Sequence, residues 1–567
     1  MKEESDNPSE DSPLTCSQAD RSIQRFGEEV SVERLEWALG HTVGGYQLIE
    51  ERHGLLQAID SDAWALFKAD LACFYFDWGE QRELQLETVE GGKLLSPLVC
   101  HEKLDLPSSW PSPIPGTAIY AALRLLLEGE EVVPRWQAQL EEKTYRLIPL
   151  SGEPLFLELR SYHALPAESW KTFGSFHLSG PEERADLAEV ADDLCKALGW
   201  EAEETGLLFF AEKKVAFAAP RPRWEVLPDD SQAPLFDLVY HVLRQQTGQL
   251  LWHEPGTKLG IDPEHLHAMR VATRRLRAAL RLFLEVLPVR TATHLRSELK
   301  WLGGSLGKVR DLDVYLERLK GLGASLLPES RPGLEQYRRH LIEEREKRRE
   351  GLLRALRTRR FLTFKESLAA MMEKRPMNWR NRKAMTQPAL SAAAVFLTPP
   401  LNRLLKAGRA LRLDSPDVEM HALRIKVKRL RYALEFFQRS LDSKEGAAGG
   451  SLPAASNKSV NSLSLGAAAN RWIAKLRTLQ DLLGEHQDLV VGQETIRGFL
   501  QKAGGGQEGR QYAFVLGQAS ALHAQRALEC RRAFFEAWKA LDRKKLRQPL
   551  KKALKRAGEG TAGQGSP

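Results

Sequence analysis

Two seventeen-residue stretches, His267–Phe283 (HAMRVATRRLRAALRLF) and His421–Phe437 (HALRIKVKRLRYALEFF), repeat one pattern of apolar and polar positions. At about 100° per residue, the first places Met269, Ala272, Leu276, Ala279, Leu280 and Phe283 on one side of a helix. His267, Arg270, Arg274, Arg277 and Arg281 fall on the other side. The second stretch sets Leu423, Leu430, Ala433, Leu434 and Phe437 against His421, Arg424, Lys428 and Arg431. Nine of the seventeen aligned positions are identical at a displacement of 154 residues. The chain is therefore read as internally duplicated, and that decides its architecture. Arg275 and Arg429 lie off the cationic stripe, and Glu435 stands where the first copy has Arg281.

A second matching pair follows each helix. Residues 306–314 (LGKVRDLDV) align with 483–491 (LGEHQDLVV) at a displacement of 177, placing Gly307 on Gly484 and Asp311 on Asp488. The extra length falls in residues 443–469, rich in Gly, Ala and Ser with no apolar period, which predicts a flexible loop. A third pairing sets Ala355–Arg360 against Ala527–Arg532. Each half, about 233–385 and 386–545, is predicted to hold four helices. Asp262 before Pro263 and Ser415 before Pro416 each give an N-cap followed by proline at the first helical position.

Upstream the periodicity changes. Short alternating or continuous apolar segments at 83–88, 143–150, 153–162 and 206–218 predict strands, and 117–129 and 183–199 predict helices. Residues 29–218 are thus expected to form an α+β domain. Residues 1–28 are expected to be a disordered acidic tail, 219–232 a Pro-rich linker, and 546–567 a basic, Gly-rich tail.

Charge sharpens the division. Residues 1–230 carry a formal −22 and the remainder +29, which together give the chain's +7, so an anion-binding function belongs to the second part. There is no signal-peptide pattern and no run of eighteen apolar residues, which predicts a cytoplasmic protein without a membrane partner. The five cysteines are dispersed without a CxxC pair, against a disulfide framework or a cysteine-built zinc site.

The stripes carry the candidate chemistry. Like charges at i,i+3 and i,i+4 disfavour a helix, and an ordinary solvated face mixes signs. Both copies accept that cost, and a polyanion along the stripe would reverse it. Arginine forks suit phosphate oxygens, lysine acts as a point charge, and His267 and His421 can donate when protonated. Lys300 and Arg477 occupy matching places before the second pair, whereas Lys308 and Arg310 face Glu485 and Gln487 in the other copy. Asp311 and Asp488 suit anchors for basic side chains. No other His or carboxylate recurs at ligand spacing beside both copies, so neither metal nor cofactor is expected.

The element at 267–277, its second copy and the LGxxRDLDV-like element after each resemble the CHAD domain, the conserved histidine α-helical domain. The resemblance covers about 233–545 and implies two pseudo-symmetric four-helix bundles whose basic helices bind inorganic polyphosphate. It also implies localisation to polyphosphate granules. The segment 60–76, with Asp60, Trp64, Leu66 and Phe67, resembles the CYTH fold, an antiparallel β-tunnel that hydrolyses triphosphate compounds. The family's Glu-x-Glu-x-Lys strand is missing: Glu29, Glu33 and Glu36 are spaced four and three apart. Glu142, Lys143 and Glu158 are alternative tunnel residues, although a strand glutamate beside a lysine is more often exposed. Non-enzymatic polyphosphate binding is therefore the first reading. Nucleic acid is the alternative polyanion, though neither stripe carries the aromatics that base stacking needs. Triphosphatase activity in the CYTH-like domain is the third.

Overall fold

The computed structural model describes residues 20–200 apart from 28, 62–63, 80–81, 91–92, 95–101, 104–124, 127–131, 150–152, 166–171 and 182–185. It further describes residues 233–559 apart from 323–330, 374–381, 443–464 and 504–506. They fall into two compact units, one within 1–221 together with Trp252–His265, the other within 222–251 and 266–567.

The first unit is built on an antiparallel, curled sheet forming a half-barrel. Its strands run β1 (Asp20–Gly27), β2 (Gly45–Ser61), β3 (Leu71–Asp77), β4 (Arg82–Glu90), β5 (Lys93–Leu94), β6 (Glu102–Lys103), β7 (Val132–Ile148), β8 (Leu155–Leu165) and β9 (Thr172–Pro181). Their order is β1-β9-β8-β7-β2-β3-β4-β5, with β6 on β4. Alternation along β8 sends Leu155, Leu157 and Leu159 to one face, where α1 (Val32–Thr42) and α2 (Leu187–Leu198) cover them with Leu35, Leu39, Ala191 and Leu194. Ser31 caps α1, its hydroxyl accepting from the Arg34 N–H, and α2 ends at Gly199 in the left-handed conformation (φ 73°). Glu33 and Glu36 thus lie on the exposed face of α1, which accounts for their three-residue spacing. Asp60, buried on β2, accepts from the backbone N–H of Leu66 and Phe67, both at 2.9 Å, and so sets the turn that leads into β3.

Several boundaries differ from expectation. Asp20–Gly27 is not tail: it pairs along β9 as an edge strand, with Ile23 opposite Leu178. The short helix α4 (Glu254–Leu259) groups with the first unit although it follows α3 (Leu235–Trp252) in the predicted helical domain. Residues 1–19, the expected strand at 206–218, the linker 219–232 and most of the helix expected at 117–129 lie outside the described residues.

The second unit repeats one series of helices. The first half gives α3, α5 (Pro263–Leu282), α6 (Val289–Leu322), α7 (Arg331–Leu356) and α8 (Arg359–Glu373). After the short α9 (Arg382–Thr386), the second half gives α10 (Ala389–Ala410), α11 (Asp417–Asp442), α12 (Leu465–Ala503), α13 (Gln507–Leu541) and α14 (Lys544–Glu559). Each half is thus four longer helices and a shorter fifth. One core joins the halves, with Phe283 ringed by Phe396, Phe436 and Phe437 at centroid distances of 5.4, 6.4 and 6.0 Å. Every residue assigned to the apolar faces of the two repeated helices is at most 2 % exposed.

Three details correct the repeat. Ala355–Arg360 straddles the break between α7 and α8, whereas Ala527–Arg532 lies inside α13, so this pairing is not a structural one. Residues 465–469, assigned to the loop, begin α12, where Ala468 and Ala469 are buried; 443–464 lie outside the described residues. The basic tail is helical to Glu559, and Leu550 and Leu554 enter the core while the Trp472 indole donates to the Leu546 carbonyl at 3.2 Å. At the helix starts, Asp262 Oδ1 accepts from the Glu264 N–H at 2.8 Å as expected. Ser415 instead accepts from the Arg412 N–H, and α11 begins at Asp417.

Because Leu554 is 2 % exposed in that core, Leu554→Ala is expected to cost about 2–5 kcal/mol in denaturant unfolding. An unchanged unfolding midpoint would mean that the tail is not docked.

Candidate polyanion-binding site

The two repeated helices turn their cationic stripes toward each other. Arg270 and Arg274 of α5 gather with Arg424 and Lys428 of α11. Burial, then repulsion from Arg274, Arg424 and Arg270, pushes the Lys428 ammonium down to about 6 from its ordinary 10.5, and Asp488 opposes this. Burial leads for Arg274 and Arg424 as well, and both are displaced downward, Arg274 by Arg270 and Arg431, Arg424 by Arg274 and Arg270. A guanidinium does not give up its proton in a protein, so for these two the displacement is unrelieved electrostatic strain.

The glycines of the second matching pair lie against the two arginines, with room to spare at Gly307 and little at Gly484. A Cβ on Gly307 would stand 3.7 Å from Arg270 Nη2, and one on Gly484 would stand 3.3 Å from Arg424 Nη2. Arg270 reaches Asp311 at 2.9 Å, while Asp488 holds Arg318 of α6 at 3.0 Å. The two aspartates are thus anchors for basic side chains. Among the described residues, five cations, Arg318 included, share two carboxylates here, and the excess is positive even with Lys428 neutral.

A two-fold relation between the repeats exposes an asymmetry. Arg275 Nη1 meets Glu435 Oε2 at 2.6 Å. Shifting both residues by the repeat distance of 154 turns this contact into Arg429 facing Arg281. Arg429 is pushed down first by burial and then by Arg281, Arg403, Arg277 and Arg296. One copy of the contact is therefore a salt bridge and the other a cluster of arginines. Glu435, nearly buried, also takes Arg431 at 2.5 Å and Arg477 at 3.6 Å.

The predicted ligands divide accordingly. Arg270, Arg274, Arg424 and Lys428 come together, and Arg277 and Arg281 are exposed within the arginine cluster. Arg431 and Arg477 are already clasped by Glu435, which the stripe pattern did not reveal because one acidic residue serves three cations on three helices. His421 is exposed, with Nδ1 2.8 Å from Gln487 Oε1, and His267 and Arg310 are half-buried. Lys300 and Lys308 line an open pocket of about 440 Å³ with Trp301 and Arg360. Arg360 stacks on Trp301 at 4.4 Å and grips Glu298 at 2.6 and 3.1 Å.

Sequence reasoning missed Tyr432. Its ring lies 4.8–5.7 Å from the guanidinium carbons of Arg274, Arg275 and Arg431, which it supports through cation–π attraction. At 2 % exposure it is closed to any base that might stack there.

In the first unit, Glu142 is buried rather than exposed, held by Arg52 and Arg160 at 2.5 Å each. Glu158 lies 3.3 Å from Arg160 and 3.5 Å from His177, while Lys143 pairs with Glu141 and Glu51 on the opposite face.

The second unit is thus an all-α tandem bundle whose duplicated helices share a positively charged seam. Residues 241–449 match the family model of the CHAD domain. Two uncharacterised proteins of Mycobacterium tuberculosis are 26 % identical to it over 328 residues, 56 % of this chain and 55 % of theirs. The chain therefore spans about half the length of these curated relatives. A CHAD domain from the plant Ricinus communis is 26 % identical, covers 57 % of this chain and 97 % of its own, and superposes with a TM-score of 0.43. The first unit is similar to a putative adenylyl cyclase from Hippeastrum with a dominant triphosphatase activity, at 17 % identity over 35 % of this chain and 98 % of that one, TM-score 0.26.

The unfolded chain holds a proton on Lys428 that the native side chain lacks between about pH 6 and its ordinary 10.5. This group's contribution to stability therefore rises with pH across that window. Lys428→Met is expected to raise the melting temperature at pH 7 and to flatten its rise toward alkaline pH. A melting temperature and pH profile identical to wild type would show Lys428 to be an ordinary solvated lysine.

Proposed function

We propose that the helical unit binds inorganic polyphosphate along the seam by charge-assisted hydrogen bonds, with no bond broken. The observation that carries this reading is the concentration of Arg270, Arg274, Arg424 and Lys428 around too few carboxylates to neutralise them. Such a group is costly to the empty fold and favourable once an anion fills it. A linear chain with about one charge per phosphate suits a seam that continues from this group to Arg277, Arg281 and Arg429. Recruitment to polyphosphate granules follows as part of the same proposal.

Nucleic acid is the alternative polyanion, since counterion release is indifferent to what links the phosphates. The aromatics packed against the seam arginines, Tyr432 and Phe436, are both buried, which favours a chain without bases. Triphosphate hydrolysis by the first unit is the third reading. Against it stands Glu142, whose carboxylate is engaged by two arginines instead of facing a second carboxylate across a metal.

The test is binding of long-chain polyphosphate to the full chain, alone and against DNA and RNA at equal phosphate concentration. Affinity is expected to fall steeply between roughly 50 and 200 mM salt, as release of many counterions requires. Arg274→Glu with Lys428→Glu should abolish binding while leaving the melting temperature equal or higher. Salt-independent binding, or folded double variant that binds like wild type, would overturn the assignment; tighter binding of DNA or RNA would transfer it to nucleic acid.

A further inference from the structure

Away from the seam, Asp70, Asp262 and His265 each bring one ligand-type atom within 4.8 Å of the others. All three belong to the first unit. His265 is buried, and its ring rests on Gly256, where a Cβ would come within 2.2 Å of it. Its Nε2 points to Asp70 Oδ2 at 2.8 Å, and its Nδ1 lies 3.2 Å from His253 Nδ1. Asp262 starts α5 and gives one oxygen to the Glu264 N–H, which leaves the other for a ligand.

We propose that Asp70, Asp262 and His265 form a site for one divalent transition-metal ion of the zinc class, with His253 fixing the His265 ring from behind. One imidazole nitrogen and two carboxylates suit zinc, whose open sites take three protein ligands and a water. Magnesium and calcium favour all-oxygen sets. A ligating imidazole usually has its other nitrogen hydrogen-bonded, which sets tautomer and orientation, and His253 stands where that partner belongs. A His–Asp pair that merely pins a corner needs no second carboxylate beside it. Two carboxylates this close repel unless a cation lies between them. The Asp70 side chain is 44 % exposed, so an ion reaches the site from solvent.

The proposal is independent of polyphosphate binding. Full-length protein, freed of metal by a chelator, is titrated with zinc in competition with a chromophoric chelator, and its melting is followed with and without zinc. One tight zinc equivalent and a zinc-dependent rise in melting temperature are expected, with magnesium giving neither. Asp70→Asn and His265→Gln should lose that equivalent. Asp262→Asn keeps a good helix cap and therefore the fold, yet should weaken zinc by roughly tenfold or more. The proposal is overturned if wild type takes up no tight equivalent, or if folded Asp262→Asn holds zinc as wild type does.

Discussion

Like charges facing each other across α5 and α11 are the constraint on which the helical unit turns. Arg270, Arg274, Arg424 and Lys428 share a half-buried space in which Asp311 and Asp488 offset only part of their charge. The fold tolerates them because the opposite faces of the same helices are fully buried, from Met269 to Phe283 and from Leu423 to Phe437. Burial of that apolar surface is the larger effect, at about 1.5–3 kcal/mol for each large side chain. Like-charge neighbours on one helix cost only a few tenths each. The helices therefore form with like charges facing one another, and on the proposed function a bound anion relieves that repulsion.

Duplication places the same residues on both sides of the seam, and divergence has made the sides unequal. Where one copy keeps Arg281 opposite Arg429, the other has Glu435, which collects Arg275, Arg431 and Arg477. That end is an internal ion network, whereas Arg281 at the other end is exposed. On the proposed function, a polyphosphate chain is thus expected to run from the central cations toward Arg281 rather than symmetrically along both stripes.

The apolar faces were legible because burial is set by periodicity alone, and all eleven assigned positions are buried. The central cations were legible for the same reason, since they occupy the complementary face. Glu435 and Tyr432 were visible as residues but not as partners, because their roles depend on how two helices distant in sequence meet. Tail residues such as Leu554 were masked by their basic neighbours, and β1 by the polar composition around it. Glu142 beside Lys143 looked exposed because strand alternation does not say which face is inward when both carry charge.

Proton uptake on binding tests the central claim most directly. If Lys428 is neutral in the empty seam and charged against phosphate, titration calorimetry in buffers of different ionisation enthalpy should show uptake approaching one proton per polyphosphate site at about pH 8. Lys428→Met should abolish that uptake while the protein stays folded. Binding of polyphosphate with no proton uptake at this pH, or with uptake unchanged in Lys428→Met, would contradict the account of the seam.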